Sequence, residues 1–354
     1  MRLSEWLATI GLPEGWKRGA ALPIARLESA GTAIDGKLYV FGGFCFRLKA
    51  SKRVDVYDPV KNSWIQAADM PLPVTHVYPV FDGQSVWFAG GFVGDHPGPV
   101  TDDVCRYDPL TNTWERDIPL PAVRASGGFQ LVNQCLHYFG GFAADRDTTC
   151  TEHWVLPLQD GRQWMKRAPL PEPLGHNASV VLNGKIYSMG GQYRHDTNPI
   201  DQTSVYVYDP SKDSWQALAS LPEPRSHFEP GTFTYNGQII VVGGRNNHQN
   251  RQDNYNFFRH QEDRMIDDLP HRAYRLLSRR RSVDSFVPKV TTYDPIADTW
   301  QDLIDLPAHL LAPVANVIQA QFILTGGGRN WVTNPQARTL LNESLLDLIP
   351  QQPY

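Results

Sequence analysis

The sequence is short of several things that would announce a function. Cysteine is scarce: Cys45, Cys105, Cys135 and Cys150 are the four among 354 residues, and none stands in a Cys-x-x-Cys spacing. A disulfide framework and a thiolate zinc site are therefore not expected. No segment approaches the roughly 20 consecutive apolar residues that a membrane helix needs. Met1 to Ile10 lacks the apolar core and small-residue cleavage site of a secretory leader. Charge of one sign is lacking too. The net charge of -4 argues against a general nucleic-acid binder. There is no Gly-x-Ser-x-Gly elbow, Gly-Lys-Ser/Thr phosphate loop or His-Glu-x-x-His, so hydrolase and nucleotide-dependent chemistry lack support. The expectation is a soluble protein of the reducing cytoplasm, without membrane contact.

What the chain has in quantity is glycine and proline, 28 of each, and these fall in a pattern. A β-branched or aromatic run stopped by two glycines appears as Tyr39-Val-Phe-Gly-Gly-Phe44, Trp87-Phe-Ala-Gly-Gly-Phe92 and Tyr138-Phe-Gly-Gly-Phe142. It returns ahead of Gly191, Gly244 and Gly327, making six copies. A tryptophan followed at the sixth position by Leu or Met and then Pro also occurs six times, from Trp16 to Pro23 through Trp300 to Pro307. Between these signals lie alternating runs that stop at Asp-Pro, as in Val54-Asp-Val-Tyr-Asp-Pro59 and Val205-Tyr-Val-Tyr-Asp-Pro210, with His153 to Pro157 a degenerate copy. Asp35-Gly36, Asp82-Gly83, Asn183-Gly184 and Asn236-Gly237 read as two-residue hairpin turns, because those residues tolerate positive φ. One unit is thus four antiparallel strands, a to d, with a period of about 50 residues. Four-stranded units repeated this often fit an all-β propeller.

Together, the double glycine, the Tyr-Asp-Pro and the spaced tryptophan resemble the kelch repeat. The resemblance covers nearly the whole chain from residue 16 and implies a kelch-type six-bladed propeller. Residues 1–15 form an N-terminal extension with a short helix at most. Strand 16–22 completes the last blade, so the chain ends clasp each other and no sheet edge is left open. Blade 1 is expected over 24–71, blade 2 over 72–121, blade 3 over 122–171 and blade 4 over 172–222. Blade 5 spans 223–307 and blade 6 spans 308–354, with 339–348 as its strand-c candidate. The family includes protein-binding adaptors, sugar-acid mutarotases, iron-dependent plant specifier proteins and a copper oxidase, so the resemblance does not choose a function. The oxidase's tyrosine–cysteine pair has no counterpart that can be placed near the axis.

The working end is expected where the d–a and b–c connections gather, because these are the long, irregular ones. Counting back from each hairpin turn places Arg26, Pro73, Arg124, Leu174, His227 and Leu310 at one level of the innermost strands. Glu28, Thr75, Ser126, His176, Glu229 and Ala312 fall two residues further on. The b–c loops and adjoining segments add Arg47, His76, His195, Arg225, His248 and Arg329 as ligand-binding candidates. Arg26 and Arg124 are placed to grip a small anion bidentately. Glu28, His176 and Glu229 are the candidates for proton transfer, as a mutarotase-like enzyme would need. His176, His227 and Glu229 are the candidates to bind Fe or another divalent metal, since two histidines and a carboxylate suit non-haem iron. No other cofactor is expected. The leading expectation is a protein partner or small ligand bound at this face; an enzyme acting on a small anionic substrate is the alternative.

Blade 5 breaks the period with an insertion over 245–288 in its b–c connection. Two short helical stretches are expected, at Arg264 to Leu269 and Arg272 to Leu277. The segment leaves from the working face and reads as a lid over the channel mouth.

Overall fold

The computed structural model describes residues 11–159, 161–197, 199–246, 286–328 and 335–350. The N-terminal helix and the lid expected after Asn246 fall outside these residues. Six four-stranded antiparallel sheets form the six blades. In blade 1 the strands are Ala30–Ile34, Lys37–Phe41, Val54–Asp58 and Ser63–Ala67, paired in that order from the axis outward. The degenerate His153–Pro157 is strand c of blade 3, paired on both sides.

The ring closes as the repeat order requires. Trp16–Arg18 pairs antiparallel with Thr339–Asn342, Trp16 opposite Asn342, so the first strand completes the last blade. Both clasp strands are shorter than expected. Strand c of blade 6 stops at Asn342 because its side-chain Oδ1 accepts from the Leu345 N–H at 2.8 Å and starts a 3-10 turn over Ser344–Leu348. Beyond Arg18 the clasp continues through single hydrogen bonds from Gly19 and Leu22 to the carbonyls of Thr339 and Ala337.

Each repeat signal has a mechanical role between blades. The Trp64 indole N–H donates to Ala20 O at 2.8 Å, that of Trp114 to Ala68 O at 3.0 Å, and that of Trp215 to Ala168 O at 2.9 Å. The c–d turns do the same from their left-handed residues. Asn62 Oδ1 accepts from both the Tyr57 hydroxyl and the Ala20 N–H, and Asn112 Oδ1 from Tyr107 and Ala68. The glycine pairs allow a close approach. A Cβ on Gly140 would lie 2.5 Å from Leu174 O of the next blade, and φ there is +69°. Apolar clusters fill the wedges between neighbouring blades, as where Phe41 and Met70 of blade 1 meet Phe88 and Tyr107 of blade 2.

Two-residue hairpin turns with both φ positive stand in five blades and are missing in one. Asp82-Gly83 is not a two-residue turn with both φ positive; Asp82 Oδ1 instead accepts from the Gln84 and Ser85 N–H groups, while Oδ2 holds the Trp87 indole. Strand a of that blade shrinks to Val80–Phe81. Conversely, Asn133-Gln134 and Gln319-Ala320 take positive φ at both positions without any glycine.

Candidate functional site

At the d–a end of each innermost strand one residue is left-handed, and it occupies the same place in every blade. These residues are Glu28, His76, Ser126, His176, His227 and Ala312, with φ between +45° and +58°. The turn aims each side chain at the axis. The register from hairpin counting was therefore right in four blades and shifted in two. His76 stands where Thr75 was expected, because the turn of blade 2 differs. His227 stands where Glu229 was expected, because a 3-10 turn at Glu229–Gly231 adds length before strand a of blade 5. A second ring lies against the first, made of the residue after each glycine pair: Phe44, Phe92, Phe142, Gln192, Arg245 and Gly328, bridged to the segments that carry the first. Three aromatic groups thus face a polar half in which Arg245 pairs with Asp201 at 2.7 Å. The repeat itself marks that second ring, since each member directly follows a glycine pair.

His76, His176 and His227 converge. Their ligating atoms lie within 4.8 Å of one another, and all three side chains are buried. His176 and His227 stack with ring centroids 3.8 Å apart, and the His76 ring lies 4.9 Å from that of His176. Each Nδ1 has a fixed neighbour. Thr75 Oγ1 is 2.8 Å from that of His76, Glu229 Oε1 is 2.8 Å from that of His176, and Ser226 Oγ is 2.7 Å from that of His227. Glu28 approaches from the other side, its carboxylate 3.0 Å from His76 Nε2 and 3.7 Å from His227 Nε2. Glu229 is also held by the Tyr78 hydroxyl at 2.8 Å, across the channel from blade 2. His195, from a b–c loop, packs on Phe92, Phe142 and His176 with centroids 5.0–5.2 Å away.

Burial sets the protonation. Desolvation pushes His176 and His227 well below the usual imidazole value, and neighbouring imidazoles push the same way, so both are neutral. Burial raises Glu229 to about 7. For Glu28 burial is the largest single influence and acts upward, but the imidazoles of His76, His176 and His96 together hold the carboxyl below its ordinary value. Tyr78 is raised well above the phenol value by burial and by Glu229. Two glutamates in one cluster thus differ in their readiness to hold a proton.

Of the sequence candidates, the structure brings together Glu28, His76, His176, His227, Glu229 and His195. It does not bring in the arginines. Arg26 is fully buried, pairs with Asp55 at 2.6 Å and donates to the carbonyls of Gly42 and Arg53. Arg124 reaches Glu152 at 3.2 Å, and Arg225 reaches Thr291 Oγ1 at 3.3 Å and Glu223 at 3.4 Å. All three turn outward along their blades, so the bidentate grip expected of Arg26 and Arg124 is not formed. Arg47 is exposed on the rim over Phe46. His248 and Arg329 lie outside the described residues.

A family model described as a kelch motif matches residues 25–71 and 173–222. A kelch repeat-containing protein of Arabidopsis thaliana is 30% identical over 261 residues, covering 68% of this chain and 61% of that one. Kelch repeat and BTB domain-containing protein 1 of cowpox virus is 26% identical over 220 residues, 62% of this chain and 38% of the other. Beta-scruin of Limulus polyphemus is 28% identical over 218 residues, 58% of this chain and 23% of the other. The chain spans less than two thirds of each of these relatives. A solved structure named YjhT superposes with a TM-score of 0.69 over 91% of this chain and 96% of that one, at 16% identity, a likeness of fold alone. Among the described residues no helix is long and apolar enough to cross a membrane.

Proposed function

We propose, for a chain that belongs to the kelch-repeat β-propellers, that its working site is the axial cluster and that this cluster binds a small molecule. One observation carries the reading. Ser126 and Ala312 occupy the same left-handed position as the histidines and Glu28, so the fold has no need of a titratable group there. Yet four of the six positions carry one, buried, and Glu229 and Tyr78 are added. Burying such groups costs stability unless they are paired, and protein sites commonly hold strained or costly groups where they act. The aromatic half of the second ring offers apolar contact to the ligand, and the polar half orients it. The four cysteines are free, which suits a reducing compartment.

The test is a trade between stability and binding. His176→Asn and Glu229→Gln are expected to leave urea stability unchanged or higher, and to abolish the thermal shift that a responsive compound produces in a screen of small acids and sugars. Loss of about 2–3 kcal/mol in both variants, with no compound shifting the parent protein, would make the cluster a structural plug.

A second reading, protein docking at the same end, has its own support in the stiffness of the rim. The b–c loops of successive blades are tied by Lys49–Asp95 at 2.7 Å and Arg146–Asp196 at 2.7 Å, and Thr197 Oγ1 reaches Asp147 at 2.8 Å. Charge reversal of Lys49 and Asp147 separates the two: it disturbs docking and leaves small-molecule shifts intact.

A further inference from the structure

We propose that His76, His176 and His227 form a metal centre, presenting three Nε2 atoms to one divalent first-row transition ion, with the Glu28 carboxylate as fourth ligand. The inference deepens the small-molecule reading, since it gives the same side chains a defined chemistry.

Four observations meet in it. The three imidazoles come from three blades, two of them adjacent, and converge within 4.8 Å. Their Nδ1 atoms are all engaged, by Thr75, Ser226 and the Glu229 carboxylate, as hydrogen-bond partners outside a metal's ligand set engage them. A neutral ring that donates from Nδ1 leaves the Nε2 lone pair facing the centre. His76 Nε2 is buried and makes no hydrogen bond, although Glu28 Oε2 lies 3.0 Å away. An imidazole nitrogen and a carboxylate oxygen placed face to face in this way are a pair that a cation can bridge. Finally, adjacent ligand atoms 2.0–2.1 Å from one ion stand about 3 Å apart. The distances from Glu28 to His76 and His227, 3.0 and 3.7 Å, are close to that spacing.

The donor set selects the ion. Three imidazole nitrogens and one carboxylate, with no sulfur, suit Zn, Fe(II), Co, Ni or Cu(II). They do not suit Cu(I), which prefers soft ligands, or Ca and Mg, which prefer oxygen cages. Four protein ligands leave a further position open in a five- or six-coordinate ion. His195 and the second ring stand beside the histidines on the side where the b–c loops lie. The stacking of His176 on His227, at 18° between planes, has to open for both lone pairs to reach one ion. Metal binding is therefore coupled to a side-chain rearrangement of these two rings.

The test uses the full chain without a polyhistidine tag, stripped by chelator and titrated with Co(II), whose visible bands report nitrogen and oxygen coordination. The expected result is about one equivalent bound per chain, with a rise in melting temperature. His76→Asn, His176→Asn and His227→Asn should each abolish the bands; asparagine tolerates the left-handed backbone these positions need. Glu229→Gln should weaken binding by about 10–100-fold through His176. Near-UV circular dichroism checks folding, and Glu28→Gln is a further variant that keeps all three imidazoles. Less than about a tenth of an equivalent, or binding that none of these substitutions changes, would overturn the centre. The two readings fail separately. A compound-induced shift in metal-free protein with no Co(II) bound would sink the metal centre alone. Stoichiometric metal with no compound response would confirm the centre and sink the small-molecule reading.

Discussion

Lowering the pH from 7 to 5 should destabilise this propeller through a pair of histidines far from its axis. His137 and His153 lie side by side in strands b and c of blade 3, buried at 3% and 1% exposure. His153 Nδ1 is 3.1 Å from Ala168 O, and His137 Nδ1 is 2.9 Å from His153 Nε2, so a neutral relay satisfies both rings. Desolvation depresses His137 to about 3 and His153 to about 4, the pair's mutual repulsion adding to the first. The folded value lies below the unfolded one, near 6.5, so the unfolded chain takes up more protons throughout that window. Their neutral pairing is fully compatible with folding above about pH 6.5, and stability is lost as the pH falls toward 4. Between pH 7 and 5 the linkage relation gives about 2 kcal/mol per histidine, about 4 kcal/mol for both. Urea unfolding at the two pH values measures it, in the parent and in a His137→Gln/His153→Gln variant. The other histidines titrate in both proteins and cancel. The variant should lose about 4 kcal/mol less than the parent over this interval. An equal loss in the two would refute the argument, and with it the claim that this pair is held neutral.

Other substitutions test the scaffold. Gly140→Ala puts a methyl group 2.5 Å from Leu174 O and should cost about 3 kcal/mol or more, while Gly184→Ala, with open space around it, should cost only about 1 kcal/mol of left-handed strain; urea midpoints compare them. Trp215→Phe removes the indole bond to Ala168 O and should cost about 1–2 kcal/mol by the same measurement. Arg26→Met leaves Asp55 with Arg53 alone in a buried site and should cost about 3 kcal/mol, without changing Co(II) binding at the axis.

Much of the fold was legible because a propeller writes its architecture once per blade. Gly42-Gly43, Trp64 and Tyr57 recur as their counterparts do because each contacts a neighbouring blade that repeats too. Asp58 recurs because it caps its own turn through the Val60 and Lys61 N–H groups, and closure by Trp16 followed from the order of signals. The site was legible only in part. His76 and His227 are candidates in the sequence but stand off the counted level, because blade 2 does not keep its hairpin turn and blade 5 inserts a 3-10 turn between the left-handed residue and strand a. The dependable marker was the glycine pair, which leads directly to Phe44, Phe92, Phe142, Gln192 and Arg245. The arginines misled because a guanidinium near a channel mouth reads the same whether it faces the axis or a buried Asp55.

The sequence by itself determined the blade number, the strand order and the clasp, because these rest on local pattern and periodicity. Only the tertiary structure decided which side chains meet. Radial closure brings residues some 50 to 150 positions apart within hydrogen-bonding reach, as with His176 and Glu229 or Tyr78 and Glu229. A shift of one residue at a left-handed turn decides whether a side chain faces the axis or the wall, and no periodicity in the chain records that choice.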